Sequence, residues 1–138
     1  DVTTEVARQF AAALDRDDYE TARTFLTEET TYTIHGKLYI GVEQIIDRYR
    51  RSSEWATSTF DQVAYESSVE PLEENRVRVT FVDHITHGDE TLDHTARQVL
   101  TVDPEREVID GIKHDDHADE DESIEDFFEK TGVSRPPP

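Results

Sequence analysis

The chain has 138 residues, and its 14 Lys and Arg against 33 Asp and Glu leave a formal charge of −19. That length suits one compact domain with a modest core; the acidic balance argues against a phosphate-neutralising nucleic-acid surface or attachment to an anionic membrane, and the absence of cysteine excludes disulfides, thiolate metal sites and a cysteine nucleophile. No apolar run approaches the roughly 20 residues of a spanning helix, and the N-terminus lacks the basic-then-apolar pattern of a signal peptide, so a soluble, cytoplasmic protein is expected.

Val6, Phe10, Ala13 and Leu14 recur at helical spacing behind Thr3 and Thr4, either of which can cap, so residues 4–15 are predicted as an amphipathic helix. Asp17 with Glu20 resembles a capping box, and Tyr19, Ala22, Phe25 and Leu26 give a second, shorter helix. Thr30 to His35 is β-branched and aromatic and reads as a strand ending at Gly36. After Gly41, the set Val42, Ile45, Ile46 and Tyr49 predicts a third helix to about Arg51.

From about Ser58 the period changes to two. Phe60 to Val69 is a strand with Val63, Tyr65, Ser67 and Val69 on one side. In Arg76 to His87, Val77, Val79, Phe81, Asp83 and Ile85 share a face; Gly88-Asp89 is a two-residue turn, and Thr91 to Val102 returns as the partner strand. Pro104 suits the second position of a type I turn, after which Val108 to His114 pairs next. A short helix near the end has Ser123 as a cap, Ile124, Phe127 and Phe128 on one face and Gly132 as its stop, while Pro136 to Pro138 fray.

The negative charge divides in two. Residues 103–138 hold 13 acids and 4 bases, so residues 118–138 read as an acidic tail, apart from a domain over residues 1–117. Elsewhere acids are spread evenly, and only Lys37, Lys113 and Lys130 stand beside eleven arginines; such a surface suits strong salt, where screening removes self-repulsion. The apolar face of the tail helix is expected to dock on the domain, across a pocket mouth, or on a second subunit.

Two helices, a strand, a helix opening on Gly41 and a run of long strands, with the stretches Phe10-Ala-Ala-Ala-Leu14, Thr31-Tyr32-Thr33-Ile34 and Glu107-Val108-Ile109, resemble the NTF2-like superfamily, most nearly its SnoaL-like and ketosteroid-isomerase-like branch, over about residues 4–117. The resemblance implies an α+β fold in which a curved antiparallel sheet wraps N-terminal helices around a cone-shaped pocket, and a homodimer formed through the sheet. It also implies a small apolar molecule as partner, and either acid–base isomerisation, cyclisation or dehydration or a non-catalytic ligand-binding or dimerisation module, since the fold alone selects no chemistry. The isomerases' general-base Asp falls here on Ile34 or His35, their oxyanion-holding Tyr on Phe10 and its partner Asp on about Gln98, so ketosteroid isomerisation itself is not expected.

The hairpin offers another site. With a two-residue turn at Gly88-Asp89, Asp83 lies opposite His94, Phe81 opposite Ala96 and Val79 opposite Gln98. A carboxylate beside an imidazole in an apolar cavity can fix the tautomer and move both groups toward a useful proton affinity, with Gln98 donating to a developing oxyanion. The competing reading is a structural ion pair, and a one-residue slip would turn both side chains outward. The remaining pocket wall is expected from Phe10, Leu14, Tyr32, Ile34, His35, Tyr49, Trp55, Val79 and Phe81, residues that serve equally as ordinary core. His114-Asp-Asp-His117, with His84, His87 and His94, offers metal-ligand atoms but matches no metal motif, so no metal is expected. Neither is a cofactor, for there is no phosphate-cradling loop, dinucleotide fingerprint or nucleophile elbow.

Overall fold

A computed structural model describes residues 1–134; the expected fraying of Pro136 to Pro138 lies outside the described residues. Helix α1 (Val2–Asp15) starts two residues before the predicted position. Asp1 is its cap, accepting from the Thr3 amide at 3.2 Å, and the Thr3 and Thr4 hydroxyls, the predicted caps, instead hold that carboxylate. Helix α2 (Tyr19–Arg23) is capped by Asp18, which accepts from the Thr21 amide at 3.1 Å; Asp17 precedes it in a left-handed conformation, φ 55°, and Phe25 and Leu26 fall beyond its end.

Strand β1 (Thr31–Ile34) turns through His35 and Gly36, φ 50° and 77°, directly into β2 (Lys37–Ile40). Two successive left-handed residues match the twist of a tight hairpin, and Gly36 adopts that geometry without a Cβ penalty. The sequence reading stopped at Gly36 because β2 has no buried stripe: Leu38 and Ile40 are 57% and 48% exposed. Helix α3 (Val42–Thr59) runs eight residues beyond Arg51. Its inner face continues with Ser52, Ser53 and Ala56, which border a cavity and so break the apolar periodicity.

Strands β3 (Gln62–Pro71), β4 (Arg76–His87), β5 (Glu90–Asp103) and β6 (Val108–Asp115) complete a six-stranded sheet in the order β2-β1-β6-β5-β4-β3. Every pairing is antiparallel except β1 with β6. The β4–β5 register sets Asp83 opposite His94, Phe81 opposite Ala96 and Val79 opposite Gln98, as the two-residue turn requires. The curved sheet buries Val77, Val79, Leu100, Val102, Ile109 and Ile112 against Val6, Phe10 and Ala13 of α1. The result is the expected α+β arrangement.

Helix α4 (Ala118–Thr131) begins five residues before Ser123, with His117 as its N-cap, so Ser123 lies within the helix. Asp119, Glu120 and Asp121 occupy its first turn, where carboxylates complement the N-terminal partial charge. Gly132, φ 75°, stops it as read. The helix packs on β5 and buries Phe127 in a second apolar cluster with Phe60 and Ile85, flanked by Trp55 and Phe128. Burial of one such phenyl ring contributes about 2 kcal/mol, which anchors a helix whose other faces are charged.

Candidate functional site

Between the helices and the concave face of the sheet lies a cavity of about 280 Å³. Leu14, Tyr32, Ile34, His35, Tyr49, Phe81, Asp83, His94 and Gln98 all line it. Three residues expected in its wall do not. Phe10 is fully buried in the core, and Tyr49, resting edge-on against it with ring centroids 5.9 Å apart, takes the wall position. Val79, four residues deeper along β4 than Asp83, is sealed in the same core. Trp55 is on the side of α3 that meets α4, edge-on to Phe60 and Phe128 at 5.5 and 6.2 Å.

Asp83 and His94 reach the same cavity from paired positions, yet among the described residues no hydrogen bond or ion pair joins them. The carboxyl of Asp83 points into the cavity, and burial pushes its pKa up to about 6, helped by the like charges of Asp15 and Glu120 and opposed by His84. Asp15 is also raised, first by burial; its hydrogen bond from Ser67 Oγ at 2.5 Å opposes the shift. Beside them the Tyr19 hydroxyl and Ser53 Oγ donate to Asp17 at 2.8 and 2.9 Å, and Ser53 lies 3.0 Å from the Tyr65 hydroxyl.

His94 finds its carboxylate elsewhere, because α4 brings Glu120 over the sheet. His94 Nε2 is 3.8 Å and His114 Nε2 3.2 Å from Glu120 Oε1. Burial holds the His94 pKa below the usual imidazole value, with the charges of Glu120 and Asp121 opposing. For Glu120 burial acts upward, but the hydrogen bond from His114 and the neighbouring imidazoles outweigh it and leave the carboxyl below its ordinary value.

Deeper along β5, Gln98 is buried and ties two phenols together. The Tyr49 hydroxyl donates to Gln98 Oε1 at 2.6 Å, and Gln98 Nε2 donates to the Tyr32 hydroxyl at 2.8 Å. The rings of Tyr32 and Tyr49 stack at 5.1 Å. Burial pushes both phenols up, Tyr49 furthest, so both stay protonated. In this chain of bonds the Tyr32 hydroxyl accepts from Gln98 and also interacts with the Tyr49 hydroxyl.

The sequence reading missed Asp15, Tyr65 and Glu120. Asp15 carries a usable signal, since it follows the buried Ala11 by one helical turn. Tyr65 shares one side of β3 with Val63, Ser67 and Val69 in the sequence pattern, which does not say that this side meets the site. Glu120 carries none, being one carboxylate in a run of them.

No protein-family model and no curated protein matches the sequence. Solved structures do. A candidate SnoaL-like polyketide cyclase from Shewanella denitrificans OS-217 superposes with a TM-score of 0.68 at 16% identity, over 94% of this chain and 98% of that one. An LEH-like epoxide hydrolase from M. tuberculosis gives 0.64 at 16% identity, over 96% and 92%. A de novo designed protein with a curved β-sheet also gives 0.64, at 14% identity over 94% and 96%. At these identities the likeness concerns the fold, which is that of the NTF2-like superfamily.

Proposed function

We propose that the protein binds a compact, largely apolar carbonyl compound and moves a proton on it, as an isomerase, cyclase or dehydratase that needs no cofactor. The reading is supported above all by Asp83: a carboxyl on an apolar cavity wall, with no hydrogen-bond partner among the described residues, whose proton affinity suits a general base near neutrality. The cavity's volume is at the low end of the ~300–1,000 Å³ range of ligand pockets, which argues for a small molecule. The similar folds described as a candidate polyketide cyclase and an epoxide hydrolase act on small organic molecules, in keeping with this class of ligand.

Asp83 takes a proton from a carbon acidified by conjugation to a carbonyl. The electron pair of the broken C–H bond passes through the conjugated system to the carbonyl oxygen, which accepts a hydrogen bond from the Tyr32 hydroxyl, itself steadied by Gln98 and Tyr49. The proton then returns from Asp83 to a different carbon, completing an isomerisation. Four strand positions, or roughly 13 Å of sheet, separate His94, opposite Asp83, from Gln98. The side chains converge over the concave face, so this span favours a ring system with its acidic carbon and carbonyl at opposite ends. His94, an imidazole kept neutral by burial, serves as a second proton carrier rather than as the partner that orients Asp83.

The similarity to the designed protein keeps a binding-only module as the second reading, since the same curved sheet exists there by design. Proton exchange into heavy water, followed by NMR over a panel of cyclic enones and ketones, separates the two. We expect exchange with the wild type, a rate rising through about pH 6, and a loss of roughly 100-fold in Asp83→Asn. Binding of a panel member with no exchange in either protein supports the module; exchange indifferent to Asp83→Asn removes Asp83 from the chemistry. Pairing of two copies through the outer sheet face belongs to the same proposal, and sedimentation at equilibrium reads it directly.

A further inference from the structure

At the far end of the cavity, two segments distant in sequence bring imidazoles and carboxylates together. The β1–β2 turn supplies His35, the end of β6 supplies His114 and Asp116 follows it, and the first turn of α4 supplies Glu120. His35 Nε2 lies 3.3 Å and His114 Nε2 3.7 Å from Asp116 Oδ1, and these three ligand atoms fall within 4.8 Å of one another. His114 Nε2 is also 3.2 Å from Glu120 Oε1. Four ligands around a tetrahedral ion, with bonds of about 2.0–2.1 Å, stand roughly 3.3 Å apart. The separations of 3.3 and 3.7 Å from Asp116 to the two imidazoles are close to that value.

We propose that His35, His114 and Asp116 form a site for a borderline divalent transition ion, zinc being the type, with Glu120 against His114 at its edge. Two imidazoles with a carboxylate is a donor set that favours such ions over calcium or magnesium, which take all-oxygen shells. The site is graded in burial: the His114 side chain is only 5% exposed and that of Glu120 11%, whereas those of His35 and Asp116 are 56% and 69% exposed. The buried pair gives a fixed base and the exposed pair an entry route. His114 has its ring aimed at the cluster while its Nδ1 has no hydrogen-bond partner among the described residues. His35 is held over His114 with ring centroids 5.1 Å apart, by a hairpin turn that sequence spacing gives no reason to place there. An ion here ties the β1–β2 turn to the end of β6.

The proposal is independent of the acid–base reading, because its test reads metal binding and unfolding temperature rather than turnover. The full chain, stripped with a chelator, is titrated with zinc by calorimetry and with cobalt by visible absorption, and its thermal unfolding is followed with and without zinc. One equivalent is expected to bind, with a raised unfolding temperature and the intense cobalt bands of a four- or five-coordinate nitrogen–oxygen site. His35→Asn, which suits the left-handed turn position, and Asp116→Asn are each expected to weaken binding about 10-fold or more. Both sites are exposed, so these variants fold even where His114→Gln does not. His84→Gln, which alters a separate cluster with Glu66 and Asp93 on the outer sheet face, is expected to bind as the wild type does. No binding, binding unchanged in His35→Asn and Asp116→Asn, or binding lost in His84→Gln would each overturn the assignment.

Discussion

The two ends of the cavity treat the same functional group in opposite ways. At one end Asp83 is buried near the like charge of Asp15 and its pKa rises to about 6. At the other, Glu120 is buried too, yet the imidazoles of His114, His94 and His35 hold it below the ordinary carboxylate value. Burial acts upward on both, so the difference comes from the neighbours: like charges at one end, the hydrogen-bonding imidazole of His114 and its companions at the other. In a chain with 33 acidic residues, composition gives a carboxylate no identity, and the adjoining side chains do.

The most damaging way to break the contrast is to release the element that brings Glu120 into place. Phe127→Ala removes the anchor of α4 from the Phe60–Ile85 cluster and is expected to cost about 3 kcal/mol in urea unfolding. The perturbed His94 titration seen by NMR should move back toward its ordinary value, while Asp83 stays raised. A second variant sharpens the acid end. Because the folded state holds the Asp83 proton more tightly than the unfolded chain, the contribution of Asp83 to stability should fall as pH rises from about 3.8 to about 6 and then level off. Asp83→Asn removes that contribution and should gain on wild type by about 3 kcal/mol between pH 3 and pH 7. The smallest effect is expected from Glu120→Gln. A carboxyl with a lowered pKa contributes stability that is present above about 4.5 and is lost as pH falls through its folded value; the variant should therefore lose about 1 kcal/mol at pH 7 and progressively less as pH falls below 4.5. Equal pH profiles for the two variants would dissolve the distinction between the ends.

Much of this framework was legible in the residues. The alternation of Val77, Val79, Phe81, Asp83 and Ile85, closed by Gly88-Asp89, fixed the pairing of Asp83 with His94, because a tight turn leaves one register and a one-residue slip would expose the whole face. The nearness of the pair was readable; its lack of a bond was not, since the direction in which each side chain leans depends on what α4 and α1 place above the sheet. Helix α3 was cut short for a related reason. Ser52 and Ser53 border an open cavity, and an element that lines empty space loses the apolar stripe by which helices are recognised. Strand β2 escaped because an exposed edge strand buries nothing.

The sequence by itself determined the class of fold, the hairpin register, the acid and the imidazole that share a cavity, and the apolar face of the last helix, all of which follow from local periodicity and turn chemistry. Only the tertiary structure decided which carboxylate serves which imidazole and where Tyr32, Tyr49 and Gln98 join. It alone brought His35, His114 and Asp116 together, with Glu120 beside His114. These arrangements unite residues up to 85 positions apart, and pattern along a chain cannot report contacts that depend on how separate elements pack.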